Sequence, residues 1–166
     1  SRWLITRAEE LSSAGHSVFA GCPYLAYDLA LRHPQLKPVE LLNGPSTFAG
    51  KKSDYLHREL EIPSAKKIVL YLGYLSPGRG LENLVKASAL FTEGIDCVLM
   101  GPGSDAYRES LIDLAVESRS SGRVTIADPV PESEVVNVAS SADIGISPVD
   151  RSFGNGRFVL NNKLFQ

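Results

Sequence analysis

The 166 residues include only two cysteines, one tryptophan, one methionine and three histidines. So few cysteines exclude a disulfide framework, and Cys22 and Cys97 offer no closely spaced zinc ligands. Both are expected as reduced thiols, Cys97 as a small buried hydrophobe in an apolar run. Neither charge sign dominates: 17 Lys and Arg stand against 19 Asp and Glu, a net of −2. With no basic run and no aromatic–basic alternation, nucleic acid is excluded as the main partner. No apolar run approaches membrane-spanning length, and the first residues do not read as a secretory signal. The motifs GxxxxGK(S/T), a clean GxGxxG and Asp-x-Asp are also missing. Hydrophobic residues make up 43% and charged residues 22%, enough for a folded soluble domain with a real core.

The stretch that organises the chain is KIVLYLGYLSPGRGLENL, residues 67–84. Its apolar run over 68–72 is rich in β-branched residues and meets turn signals at Gly73 and Ser76-Pro77-Gly78, as a buried strand does. Leu81, Leu84, Val85, Ala87, Ser88 and Phe91 then follow at helical spacing. Strand, glycine-bearing turn and helix in that order put the turn at the carboxyl end of a sheet, where α/β proteins bind ligands. A helix N-terminus attracts anions, and Arg79 adds a fixed positive charge, so a phosphate-bearing ligand fits. The plainer alternative is that Gly73, Gly78 and Gly80 only turn the chain.

In chain order, residues 3–14 read as a helix, 16–20 as a strand, 24–32 as a helix stopped before Pro34, and 38–42 as a strand. Residues 46–66 read as a linker with one polar helical piece near 55–60. A regular alternation follows, with strands at 68–72, 96–100, 123–127 and 144–147. Helices are expected at 81–92, 105–119 and 132–141. Ser104 is the expected N-cap of the second, whose inner face would hold Leu111, Ile112, Leu114, Ala115 and Ser118. Four such steps imply an α/β fold, a Rossmann-like parallel sheet with helices on both faces. Every loop after a strand then opens on one edge, pooling Gly73, Gly80, Gly101, Gly103 and the prolines with Arg79, Asp150, Arg157 and Lys163. Glycines admit a ligand to the backbone and the cations answer phosphate. None of His16, His33 and His57 is assigned a role. Tyr71 and Tyr74 flank Gly73; core packing is the better reading, the alternative being that one packs in the core while the other lines the cleft.

The segments GYLSPGRGLENLVKA, VLMGPGS, VTIADPVPESEVVNVASSADIGISP and LNNKLFQ, in that order, resemble the carboxyl-terminal, nucleotide-sugar-binding domain of retaining GT-B glycosyltransferases. The resemblance covers about residues 66–166. It implies that residues 1–45 are the remnant of an amino-terminal, acceptor-binding domain, 46–66 a linker, and 67–166 a truncated donor-binding domain. It implies further that Arg79 and Lys163 hold the donor diphosphate, and that the backbone of Val130, near Glu132, meets the base. Asn162-Lys163-Leu164-Phe165 would form the turn that touches sugar and phosphate. Gln166 replaces a glutamate that usually binds the ribose, Tyr74 replaces a second cation, and Phe158 stands where a first acid is expected, with Asp150 the nearest candidate.

The expected partner is therefore a nucleoside-diphosphate sugar. The acceptor, whether glycan, lipid-linked or small molecule, is open. No metal or other cofactor is implied, since the cations and helix amides can carry the leaving group's charge. The expected setting is cytoplasmic, with room for peripheral attachment to the inner face of the membrane and for a homodimer through exposed apolar surface. A second reading is a non-catalytic nucleotide-binding or regulatory module on the same fold, which Gln166 favours. A third, an NAD-dependent enzyme, lacks the acid that should follow a GxGxxG.

Overall fold

The computed structural model describes residues 18–42 and 51–148, which fall into two compact units. The first holds β1 (Phe19–Ala20), α1 (Pro23–Arg32) and β2 (Val39–Glu40). Pro23 opens the helix, where its missing amide costs nothing. The two strands run parallel, Phe19 opposite Val39, so this is a small strand–helix–strand unit, its strands shorter than the expected 16–20 and 38–42. The helix expected over 3–14 lies outside the described residues.

The second unit holds α2 (Tyr55–Glu59), β3 (Lys67–Leu72), α3 (Leu81–Ser88) and β4 (Ile95–Met100). It continues with α4 (Asp105–Glu117), β5 (Val124–Ala127), a 3₁₀ turn (Glu132–Glu134), α5 (Val135–Ser140) and β6 (Ile144–Gly145). The sheet is wholly parallel, in the order β5-β4-β3-β6. β3 lies between two neighbours, and Ile68 to Tyr71 are all buried, which is why its sequence is a continuous apolar run rather than an alternating one.

Helices cover both faces, as expected. On one, Tyr71, Cys97 and Leu99 pack against Leu81, Leu84 and Val85 of α3 and Leu111 and Ala115 of α4. On the other, Ile68, Leu70, Val98 and Met100 pack against Leu56 of α2 and Val138 of α5. Both cysteines are buried reduced thiols, and burial pushes the Cys97 thiol up to about 11.

Several elements differ from expectation, for local reasons. α3 stops at Ser88 rather than residue 92: the Ser88 hydroxyl bonds back to the Leu84 carbonyl, and the next amides tighten into shorter-range bonds. The helix expected over 132–141 starts as a 3₁₀ turn, with Pro131 ahead of it in extended conformation. Ile112 is 52% exposed, not on the inner face. The spacing 111, 114, 115, 118 already fills that face, and 112 turns about 100° away. Residues 51–66, expected within a linker, are packed onto the sheet unit. Leu56 and Ile62 are buried there, and the Leu56 amide reaches Ser141 Oγ at 3.4 Å. Lys52 Nζ meets Asp143 Oδ1 at 2.9 Å.

Candidate functional site

The strand order sets the place. From β3 the chain steps to β4 and β5 on one side, while β6 lies on the other. Such a reversal opens a crevice at the carboxyl ends of the strands. The loops that follow β3, β4 and β5 all emerge on that edge.

The β3–α3 loop carries Arg79 and ends at Gly80, the N-cap of α3, held at φ 74°. A glycine takes that left-handed conformation without strain and brings no side chain to cap the helix. α4 is different: there Ser104 Oγ accepts from the Tyr107 amide at 3.4 Å, as the sequence predicts. The first-turn amides of α3 thus lack a side-chain acceptor. Arg79, next to them, is exposed and makes no hydrogen bond or ion pair among the described residues. Tyr71 props the loop from below, its hydroxyl donating to the Tyr74 carbonyl at 2.9 Å. Burial raises the Tyr71 phenol's pKa, and the Arg79 charge opposes that rise. Tyr71 packs in the core as expected, while Tyr74 is 55% exposed.

The glycines have a tighter explanation than ligand approach. Past the end of the β3–β4 ladder the two chains continue side by side. The Gly73 amide donates to Met100 O at 2.9 Å, and the Leu75 amide to Pro102 O at 2.7 Å. A Cβ on Gly101 would lie 2.0 Å from the Gly73 carbonyl oxygen, and one on Gly103 would lie 2.7 Å from that of Leu75. These residues must be glycine so that two backbones can touch.

Two side chains that sequence reasoning did not single out hold the edge together. Arg108 reaches from α4 to the Gly101 carbonyl at 3.0 Å, the Ala127 carbonyl at 3.3 Å and Asp128 Oδ1 at 2.7 Å. It thereby clamps the loops after β4 and β5. Tyr107 OH donates to Glu82 Oε1 at 2.6 Å and ties α4 to the first turn of α3. Burial and the neighbouring carboxylate raise the Tyr107 phenol's pKa, so it remains a donor. Nothing in the spacing of either residue marks these roles, because their partners lie on other elements.

Of the expected site residues, Gly73, Gly101 and Gly103 meet in the backbone contact just described, and Arg79 and Gly80 lie beside it. Val130 is half-buried against the Val138 side of the core, and Glu132 is exposed at the start of the 3₁₀ turn. Both follow β5 on the same edge. Asp150, Asn162, Lys163 and Gln166 lie outside the described residues.

Among the described residues no group of three or more His, Cys, Asp or Glu could hold a metal ion. No helix there is long and apolar enough to cross a membrane. His57 Nδ1 sits 3.1 Å from the Ile62 carbonyl, a structural contact. A shallow cavity of about 300 Å³ on the flank of the sheet is lined by Ile112, Ala115, Ser121, Val124, Thr125 and Ile126. It includes none of the residues of the carboxyl edge.

No protein-family profile matches the chain. Two curated proteins are similar in sequence, both D-inositol 3-phosphate glycosyltransferases. The one from Corynebacterium glutamicum is 37% identical over 128 residues, which covers 70% of this chain and 29% of that protein. The one from Corynebacterium efficiens is 33% identical over 105 residues, 58% of this chain and 25% of that protein. The chain thus spans under a third of the length of these relatives. Among solved structures, the Anabaena protein HepE, in complex with UDP and glucose, superposes with a TM-score of 0.72 at 16% identity, covering 92% of this chain and 45% of that one. A sucrose-phosphate synthase from Thermosynechococcus elongatus gives 0.73 at 20%, covering 93% and 40%. The chain is related in sequence to glycosyltransferases, and its fold is that of the GT-B group.

Proposed function

We propose that this chain is the donor-binding part of a retaining glycosyltransferase. In this reading residues 67–166 belong to the carboxyl-terminal domain and bind a nucleoside-diphosphate sugar. The longer parent passes the sugar to an acceptor (a glycan, a lipid-linked group or a small molecule) with its anomeric configuration kept. The observation that carries the reading is Arg79, exposed and without an ion pair among the described residues, beside an α3 N-terminus that no side chain caps. A helix N-terminus and a guanidinium at the crevice of a parallel sheet together suit a diphosphate. Complexes of HepE with UDP and with UDP-glucose support a nucleotide sugar as the ligand.

The chemistry asks little covalent work of this domain. As the bond from the anomeric carbon to the diphosphate breaks, positive charge spreads over the sugar and negative charge gathers on the leaving group. Arg79, Lys163 and the α3 amides stabilise the leaving group. Gly73, Gly101 and Gly103 shape the crevice floor, and Gly80 keeps the helix end open. Val130 and Glu132 meet the base side. Asp150, Asn162 and Gln166 complete the sugar and ribose contacts. No metal is assigned a part.

Calorimetric titration of the folded chain with UDP, GDP and ADP tests the reading. Measurable binding of one of the three is expected, with no sugar transfer by this chain alone. Failure of all three to bind contradicts it, and transfer to an added acceptor contradicts the division of labour.

A further inference from the structure

Arg79 has one acidic neighbour close in sequence, Glu82, three residues on and inside the first turn of α3. An acid so placed is a natural partner for the guanidinium, and pairing would cancel the charge offered to an anion. That pairing is not made. Glu82 Oε1 instead accepts from Tyr107 OH at 2.6 Å, and Arg79 has no ion pair among the described residues.

The four groups involved form one cluster. Tyr71 lies within the electrostatic reach of Arg79, and Tyr107 within that of both Tyr71 and Glu82. Tyr71 spends its own hydroxyl on the Tyr74 carbonyl, so Tyr107 is the phenol that engages the carboxylate. Tyr107 is itself fixed, because its amide is the one that Ser104 caps at the start of α4.

We infer that Tyr107 is a positioning residue, whose hydroxyl holds Glu82 away from Arg79 and leaves the guanidinium free for the diphosphate of the donor. The inference rests on the donor-site reading above and adds to it a device on a neighbouring helix. The retained Glu82 still serves α3, since an acid in the first turn complements the helix dipole.

The test is a set of titrations with whichever of UDP, GDP or ADP binds the wild-type chain most tightly. Tyr107→Phe releases Glu82 to pair with Arg79, and affinity is expected to fall about 3- to 5-fold, the strength of an exposed ion pair. Tyr107→Phe with Glu82→Gln removes the competitor as well, and affinity is expected to return to about the wild-type value. Glu82→Gln alone should bind at least as tightly as wild type. A double variant as weak as Tyr107→Phe overturns the inference, because the loss is then one of packing. An Arg79-dependent affinity that Tyr107→Phe leaves unchanged overturns this inference alone. A wild-type affinity that does not depend on Arg79 overturns both it and the donor reading.

Discussion

Gly101 passes Gly73 so closely that a methyl group on the former would sit 2.0 Å from the carbonyl oxygen of the latter. Gly101 also sits at φ 150°, where side chains are strained. Gly101→Ala is therefore expected to cost at least about 2 kcal/mol of stability, from overpacking and backbone strain together. Gly122→Ala is the control. Nothing lies within 4 Å of its added Cβ, so it should change stability by less than about 0.5 kcal/mol. Denaturant unfolding of both variants checks the pair.

Arg108 bridges two loops through the backbone carbonyls of Gly101 and Ala127 and the carboxylate of Asp128. Its side chain is only 18% exposed; removal takes the donor from the Gly101 carbonyl and leaves the Ala127 carbonyl only the Gly101 amide at 3.4 Å. Arg108→Ala should cost about 1–3 kcal/mol. Arg108→Lys should recover little, since an ammonium cannot span three acceptors as a planar guanidinium does. Denaturant midpoints that match for wild type and Arg108→Ala would contradict the clamp.

Leu56 is fully buried under the sheet, although the five-residue helix that carries it is otherwise polar. Leu56→Ala is expected to lose about 2–5 kcal/mol, as for other buried leucines. A loss below about 0.5 kcal/mol, typical of a surface site, would mean the helix does not belong to the sheet unit.

What was legible in the sequence follows from which interactions are local. The run over 68–72 declared a strand covered on both faces, and Ser104 declared a cap, because both signals lie within a few residues. The place of the Arg79 turn at the carboxyl edge followed from strand, turn and helix order. Leu56 was hidden because one buried leucine in a polar pentapeptide has no period to detect. Arg108 and Tyr107 were hidden because their partners are 7 to 25 residues away and are carbonyls or a carboxylate on other elements. The glycines are legible as turn or close-approach positions, but sequence alone does not show that two loops touch there. Ile112 lies off the inner face, and apolar character alone does not separate it from Leu111, whose position on the helix is about 100° away.

Asp143 gathers Lys52 Nζ at 2.9 Å, the Ile68 amide at 2.9 Å and Lys67 Nζ at 3.2 Å. The Lys52 hydrogen bond first, then the Ile68 amide, hold its carboxyl well below the usual carboxylate range, against a smaller opposing effect of burial. A carboxyl more acidic in the folded state than in the unfolded one stabilises fully above the unfolded pKa, about 3.9. That stability is lost as pH falls through the unfolded value toward the folded one. Wild type is thus expected to lose stability between about pH 5 and pH 2 more steeply than Asp143→Asn, which has no charge to titrate there. Parallel acid-unfolding curves for the two would contradict this.

The central claim is that the Arg79 guanidinium binds a diphosphate at the open end of α3. The direct measurement is the dissociation constant of the preferred nucleoside diphosphate for wild type and Arg79→Ala, with thermal melts confirming that both are folded. The account predicts a constant raised about 10- to 100-fold, the worth of a hydrogen bond to a charged group. Equal constants in two folded proteins would contradict it.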